Sequence, residues 1–138
     1  VTCDTAFGCE EVQGESCSSP TLNDIEGVAA NRWGWYIEPT FDATGQEFTF
    51  DMYAGAGQNV LANGAYAGNV VVTVNSDGSS DYVAFPEGGY CFDDVHLHVG
   101  NELPTQRKKG VTTVTVAPGQ YTQTTVSEGE GPFYIIVH

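Results

Sequence analysis

The stretch "EFTFDMYA", Glu47–Ala54, places Phe48, Phe50 and Met52 at every second position. An apolar period of two is that of a strand with one buried face, because strand side chains alternate across a sheet. "NVVVTVN", Asn69–Asn75, follows with three consecutive valines and runs into the turn-forming "SDGSSD", Ser76–Asp81. "YVAFP" then resumes the apolar pattern and stops at Pro86. Two β-branched runs around an Asn/Asp/Gly turn describe a hairpin.

Strand signals continue outward. "EGGY" leads into "CFDDVHLHV", Cys91–Val99, and "GVTTVTVAP", Gly110–Pro118, carries Val111, Val114 and Val116 in a strand expected to bulge. "GPFYIIVH", Gly131–His138, is a further strand. The one helical candidate is "PTLNDIEGVAANRWG", Pro20–Gly34, and Gly27 keeps it short. Seventeen glycines and six prolines supply the turns. No long linker and no usable internal repeat divides the chain. The expected fold is all-β: an antiparallel β-sandwich, Ig-like or jelly-roll-like, with a disulfide-tied N-terminal segment. It forms a single domain over residues 1–138, in which 1–26 make a cysteine-rich acidic arm.

The 138 residues, 41% hydrophobic and 16% charged, suffice for one core. No apolar run approaches the roughly 20 residues that span a bilayer, and neither end has the pattern of a signal peptide, so an exported protein would be met here in processed form. Eighteen Asp and Glu against four Lys and Arg give a net charge of -14. That charge argues against nucleic acid and anionic membranes as partners. By itself it implies no more than a soluble acidic surface.

Cys3, Cys9, Cys17 and Cys91 are an even set without CxxC spacing. Disulfides in an oxidising compartment explain them better than zinc or thioredoxin chemistry. Three connectivities are open. Cys9–Cys17 would close a short loop, leaving Cys3–Cys91 to tie the N-terminus to the sheet.

Within "DDVHLHVG", Asp93–Gly100, Asp94, His96 and His98 share one strand face and Val95, Leu97 and Val99 the other. Two imidazoles and a carboxylate are candidate ligands for Zn²⁺ or Cu²⁺. The solvent side of a half-buried strand explains them without any metal. "NSDGSSD" has the oxygen ligands of a Ca²⁺ loop but lacks the later Glu of an EF-hand, and a hairpin turn accounts for it equally. No cofactor is expected, and Ca²⁺ at this turn is the alternative. Catalysis is not expected. No serine sits in a GxSxG elbow, and "AGAGQN" lacks the lysine and the following helix of a phosphate loop.

Trp33 and Trp35 flank Gly34, so in a strand both rings would point the same way. Buried, they are core anchors; exposed, they are a sugar-stacking platform. "DTA" at Asp4–Ala6 matches a short bacterial O-glycosylation signal, which makes Thr5 a candidate glycan site. "QRKKG" gathers Arg107, Lys108 and Lys109, three of the four basic residues, in a loop expected between strands. On an acidic molecule this loop is a candidate contact with another copy.

Several stretches in order resemble a group of secreted bacterial domains found in surface-associated proteins. They are "TAFG" at Thr5–Gly8, "NRWGW" at Asn31–Trp35 and "FDMYAGAGQN" at Phe50–Asn59, then "VHLHVGNELP" at Val95–Pro104, "VAPGQY" at Val116–Tyr121 and "YIIVH" at Tyr134–His138. The resemblance implies an extracellular location and an all-β fold, and it carries no catalytic residues. Asn59 stands where the group often has a cysteine, so no disulfide pattern is inherited. Members also tend to continue past the residue matching His138, which leaves two alternatives, a last strand completed by this molecule or by a neighbour.

The function expected from these readings is a secreted bacterial structural or adhesive domain, a self-assembling filament or surface-layer subunit whose partners are its own copies. The alternative is a carbohydrate-binding module that uses Trp33 and Trp35 to hold glycans.

Overall fold

A computed structural model of the chain describes residues 5–12, 15–17, 19–28, 32–128 and 130–138. Its strands are β1 (Ala6–Val12), β2 (Glu15–Ser16), β3 (Gln46–Ala54), β4 (Ala65–Val74), β5 (Ser80–Pro86), β6 (Leu97–Gly100), β7 (Thr105–Lys108), β8 (Val111–Val114) and β9 (Tyr134–Val137). Five strands make one sheet in the order β2-β1-β3-β4-β5, β6 pairs with β9, and β7 with β8. Every pairing between these strands is antiparallel.

The period-two pattern orients the large sheet. Phe50 and Met52 of β3 and Val70, Val72 and Val74 of β4 turn one face inward. They meet Leu97 and Val99 of β6 and Ile135 and Val137 of β9, with Phe133 and Val126 filling between the layers. This is the sandwich core. Each such side chain gains about 1.5–3 kcal/mol on full burial. Phe48 packs on its margin, as the alternation predicts. The turn between β4 and β5 closes with Asn75 N–H donating to the Ser79 carbonyl at 2.7 Å.

A second core lies beyond β6 and β9. Ile136 joins Phe7 and Cys9 of β1, Leu22, Ile25, Trp35, Ala56 and Val116. The β6–β9 pair is therefore a wall shared by two cores, and all four residues of β6 are buried. That corrects the solvent-face reading for His98, whose ring meets Tyr121 of the second core and not water, while Asp94 is exposed. His98 is 1% exposed.

Several expected boundaries also move. Within the helical candidate the described residues form only a 3-10 turn at Leu22–Asp24, while residues 29–31 lie outside the description. The strand read through "CFDDVHLHV" is regular only from Leu97. β8 ends at Val114, and the register irregularity falls between Met52 and Tyr53 instead. The basic stretch is a hairpin rather than a loop. Lys108 pairs with Val111 across Lys109 and Gly110, whose φ values of 50° and 78° are those of a tight two-residue hairpin turn. Along its described length the cysteine-rich segment includes β1, which lies inside the sheet between β2 and β3. Cys9 and Cys17 form a disulfide that links β1 to the residue after β2. No helix among the described residues is long and apolar enough to cross a membrane.

Candidate functional site

The two layers of the sandwich part at one end, leaving a cleft of about 550 Å³. Its floor is apolar: Met52, Ala54, Ala67 and Val70. Its rim carries Tyr90, Cys91, Asp93, Asp94, His96 and His138, with Thr5 on the N-terminal side. The cleft exists because the chain from Gly88 to Val95 runs as turn and coil before β6 begins.

His96 and His138 extend the β6–β9 ladder by one pair. Each backbone N–H donates to the other's carbonyl, at 2.8 and 2.9 Å. Their rings lie 5.8 Å apart, and the His138 ring meets Phe7 edge-on at 4.6 Å. Burial, and then the neighbouring His96, bring the His138 pKa down to about 4. His138 is thus neutral at physiological pH.

His98 points elsewhere. Its Nε2 lies 2.7 Å from the Glu102 carbonyl. A carbonyl only accepts, so Nε2 carries the proton in this contact. Nδ1 is buried without a partner, and the ring sits 6.0 Å from that of Tyr121. The Tyr121 hydroxyl donates to the Val116 carbonyl at 2.9 Å. Burial lowers the His98 pKa and raises that of Tyr121. The expected triplet is therefore divided, with Asp94 and His96 at the cleft and His98 beneath Tyr121. Among the described residues no three His, Cys, Asp or Glu side chains form a metal-holding group.

The candidate Ca²⁺ loop is a self-contained turn. The Asp77 carboxylate accepts from the Ser79 N–H at 2.9 Å and from its hydroxyl at 2.6 Å. Those bonds pull the Asp77 pKa down.

Trp33 and Trp35 contact each other edge-to-face at 6.1 Å. Trp35 is only 2% exposed and packs in the second core, with Trp33 half-buried against it. Gly34, at φ 127°, turns the chain between them. The pair does not offer the flat open platform expected for sugar stacking, because one ring is buried and the two are nearly perpendicular.

Thr5 is exposed, which a glycan site requires. Cys91 is exposed and bonded to no described cysteine, while Cys3 lies outside the described residues.

Beside β5 runs a second groove, of about 430 Å³. Ser80, Asp81 and Tyr82 form one wall, Val95, His96 and Leu97 the other, with Tyr121 and Thr124 lining it too. β5 ends the large sheet, and Tyr82, Val83 and Phe85 on it are 44%, 56% and 51% exposed. The pattern of "YVAFP" shows a strand but not this exposure. Pro86 was the available signal, because proline in a sheet belongs to an edge or a strand end.

Compared with protein-family models, curated proteins and solved structures, the chain matches none.

Proposed function

We propose that this domain is a structural subunit of a secreted bacterial assembly, a filament or surface layer built from copies of itself. The observation that carries the reading is the β5 edge. A terminal strand with apolar side chains in solvent offers unpaired N–H and C=O groups to another chain, and sheet edges that must stay single are normally shortened, charged or covered. The Cys9–Cys17 disulfide supports export, since such bonds persist in oxidising compartments. The resemblance to surface-associated secreted domains points the same way.

Native material imaged by electron microscopy should contain ordered polymers, and light scattering should show mass rising with concentration. A protein that stays monomeric over the whole accessible range overturns the proposal. The geometry of Trp33 and Trp35 gives no support to the carbohydrate-binding alternative.

A further inference from the structure

The β7–β8 hairpin and the β5 edge are complementary in three respects. The first is charge. Arg107, Lys108 and Lys109 sit at the hairpin tip, leaving Arg32 as the only basic residue elsewhere in a chain with eighteen acidic ones. All three are exposed, and none has an ion-pair partner among the described residues. β5 carries exposed Asp81 and is bracketed by exposed Asp77 and Glu87. The second is hydrogen bonding. Among the described residues the hairpin is a two-stranded ribbon with no further strand on either side, and β5 has no strand beyond it. Only the start of β5 is covered, by a Ser79–Thr125 bridge and a Ser80 hydroxyl donating to the Thr124 carbonyl at 2.6 Å. The third is apolar surface. Val111, 60% exposed, shares a hairpin face with Lys108, its cross-strand partner. On β5, Val83 and Phe85 share a face with Asp81. An apolar residue beside a basic one thus has a counterpart in apolar residues beside an acidic one.

A hairpin cannot reach the β5 of its own copy and also propagate, but it can reach that of the next. We propose that the β7–β8 ribbon of one copy adds to the β5 edge of a second copy and extends its five-stranded sheet. This rests on the self-assembly reading above and names its two surfaces. The contact is heterologous, since donor and acceptor are different patches, so it grows into a ring or an open filament. The charges set orientation and encounter rate; the backbone ladder and the apolar pair hold the contact.

Two variants test it together. Arg107→Glu/Lys108→Glu/Lys109→Glu removes the donor and leaves β5 intact. Val83→Lys guards the acceptor and leaves the hairpin intact. Both change exposed side chains, and circular dichroism with a thermal melt checks folding. Each variant alone should assemble at least roughly tenfold more slowly than wild type. Mixed one to one, they should form a heterodimer and stop there, because only one productive contact remains. Asp81→Lys in place of Val83→Lys should behave alike if the first acceptor variant misfolds. Should wild type polymerise and both variants do so at its rate, the surfaces named here are wrong while self-assembly stands. Assembly of the variants with no heterodimer in the mixture also overturns the pairing. Wild type remaining monomeric overturns both proposals.

Discussion

His98 holds a proton on Nε2 for the Glu102 carbonyl and leaves Nδ1 buried and unpaired. Protonating Nδ1 would place a charge in an apolar layer, so the folded protein resists it and the His98 pKa falls. His138 is lowered too, to about 4. A depressed folded value means the unfolded chain binds protons first as pH drops. Stability from these groups is full above the usual histidine pKa of about 6.5. It is lost as pH falls towards the folded values, which for His138 means down to about 4. Glu10, whose pKa burial raises, acts in the opposite sense, so the comparison must be between variants. His98→Gln keeps an amide donor for Glu102 and removes the titration. Its melting temperature should fall less between pH 7 and pH 5 than that of wild type, and parallel curves would show that His98 is not held neutral. Gly34 gives a sharper test of packing. At its φ of 127° a Cβ would stand 2.8 Å from Leu22 Cδ1 and from Phe7 Cγ. Gly34→Ala should cost about 2–4 kcal/mol in urea denaturation, with backbone strain and overpacking both contributing. Cys91 has a further prospect. It lines the same cleft as Thr5, and Cys3 lies only two residues before Thr5. Non-reducing peptide mapping should recover a Cys3–Cys91 peptide, the second bridge expected from the even cysteine count.

At the scale of single elements, the disulfide is the covalent tie between β1 and the residue after β2. Cys9–Cys17 closes a loop of sequence separation 8. Replacing both cysteines with serine should cost about 2–3 kcal/mol, read as a lower urea midpoint. β3 and β4 were legible in the sequence because Phe48, Phe50 and Met52, and the valines after Asn69, repeat with the sheet's own period. The turn at Asn75–Ser79 was legible from its Asn, Asp and Gly. β6 was half legible. Leu97 and Val99 gave the inner face, but His98 looked like a solvent residue because nothing nearby in sequence reveals Ile136 beside it on β9 or the Tyr121 ring against it. Histidine tolerates either environment, so its identity did not decide the matter. The β7–β8 turn escaped notice for another reason. Lys109 adopts a positive φ that sequence statistics assign to Asn or Asp. The cleft was invisible too, since Met52 read as part of a buried strand face and nothing in the sequence marks Ala54, Ala67 and Val70 as its floor.

For the whole molecule, the net charge of -14 sets two salt responses of opposite sign. Like charges repel most in the compact state, so salt should raise the melting temperature of the isolated subunit. The same ions screen the attraction between a basic hairpin and an acidic edge, so salt should slow assembly. A melt and a light-scattering trace across one salt series would check both, and an assembly rate indifferent to salt would remove the charges from the contact. The wall of β6 and β9 has its own consequence, in time rather than in energy. Ile37 exchanges backbone bonds with Ile135, and β9 closes the two apolar clusters at once. Contacts so distant in sequence form late, after the chain entropy between them has been overcome. A chain emerging from a ribosome therefore has neither apolar cluster complete until residues 134–137 arrive. Until then both clusters stay open on the side that β9 closes.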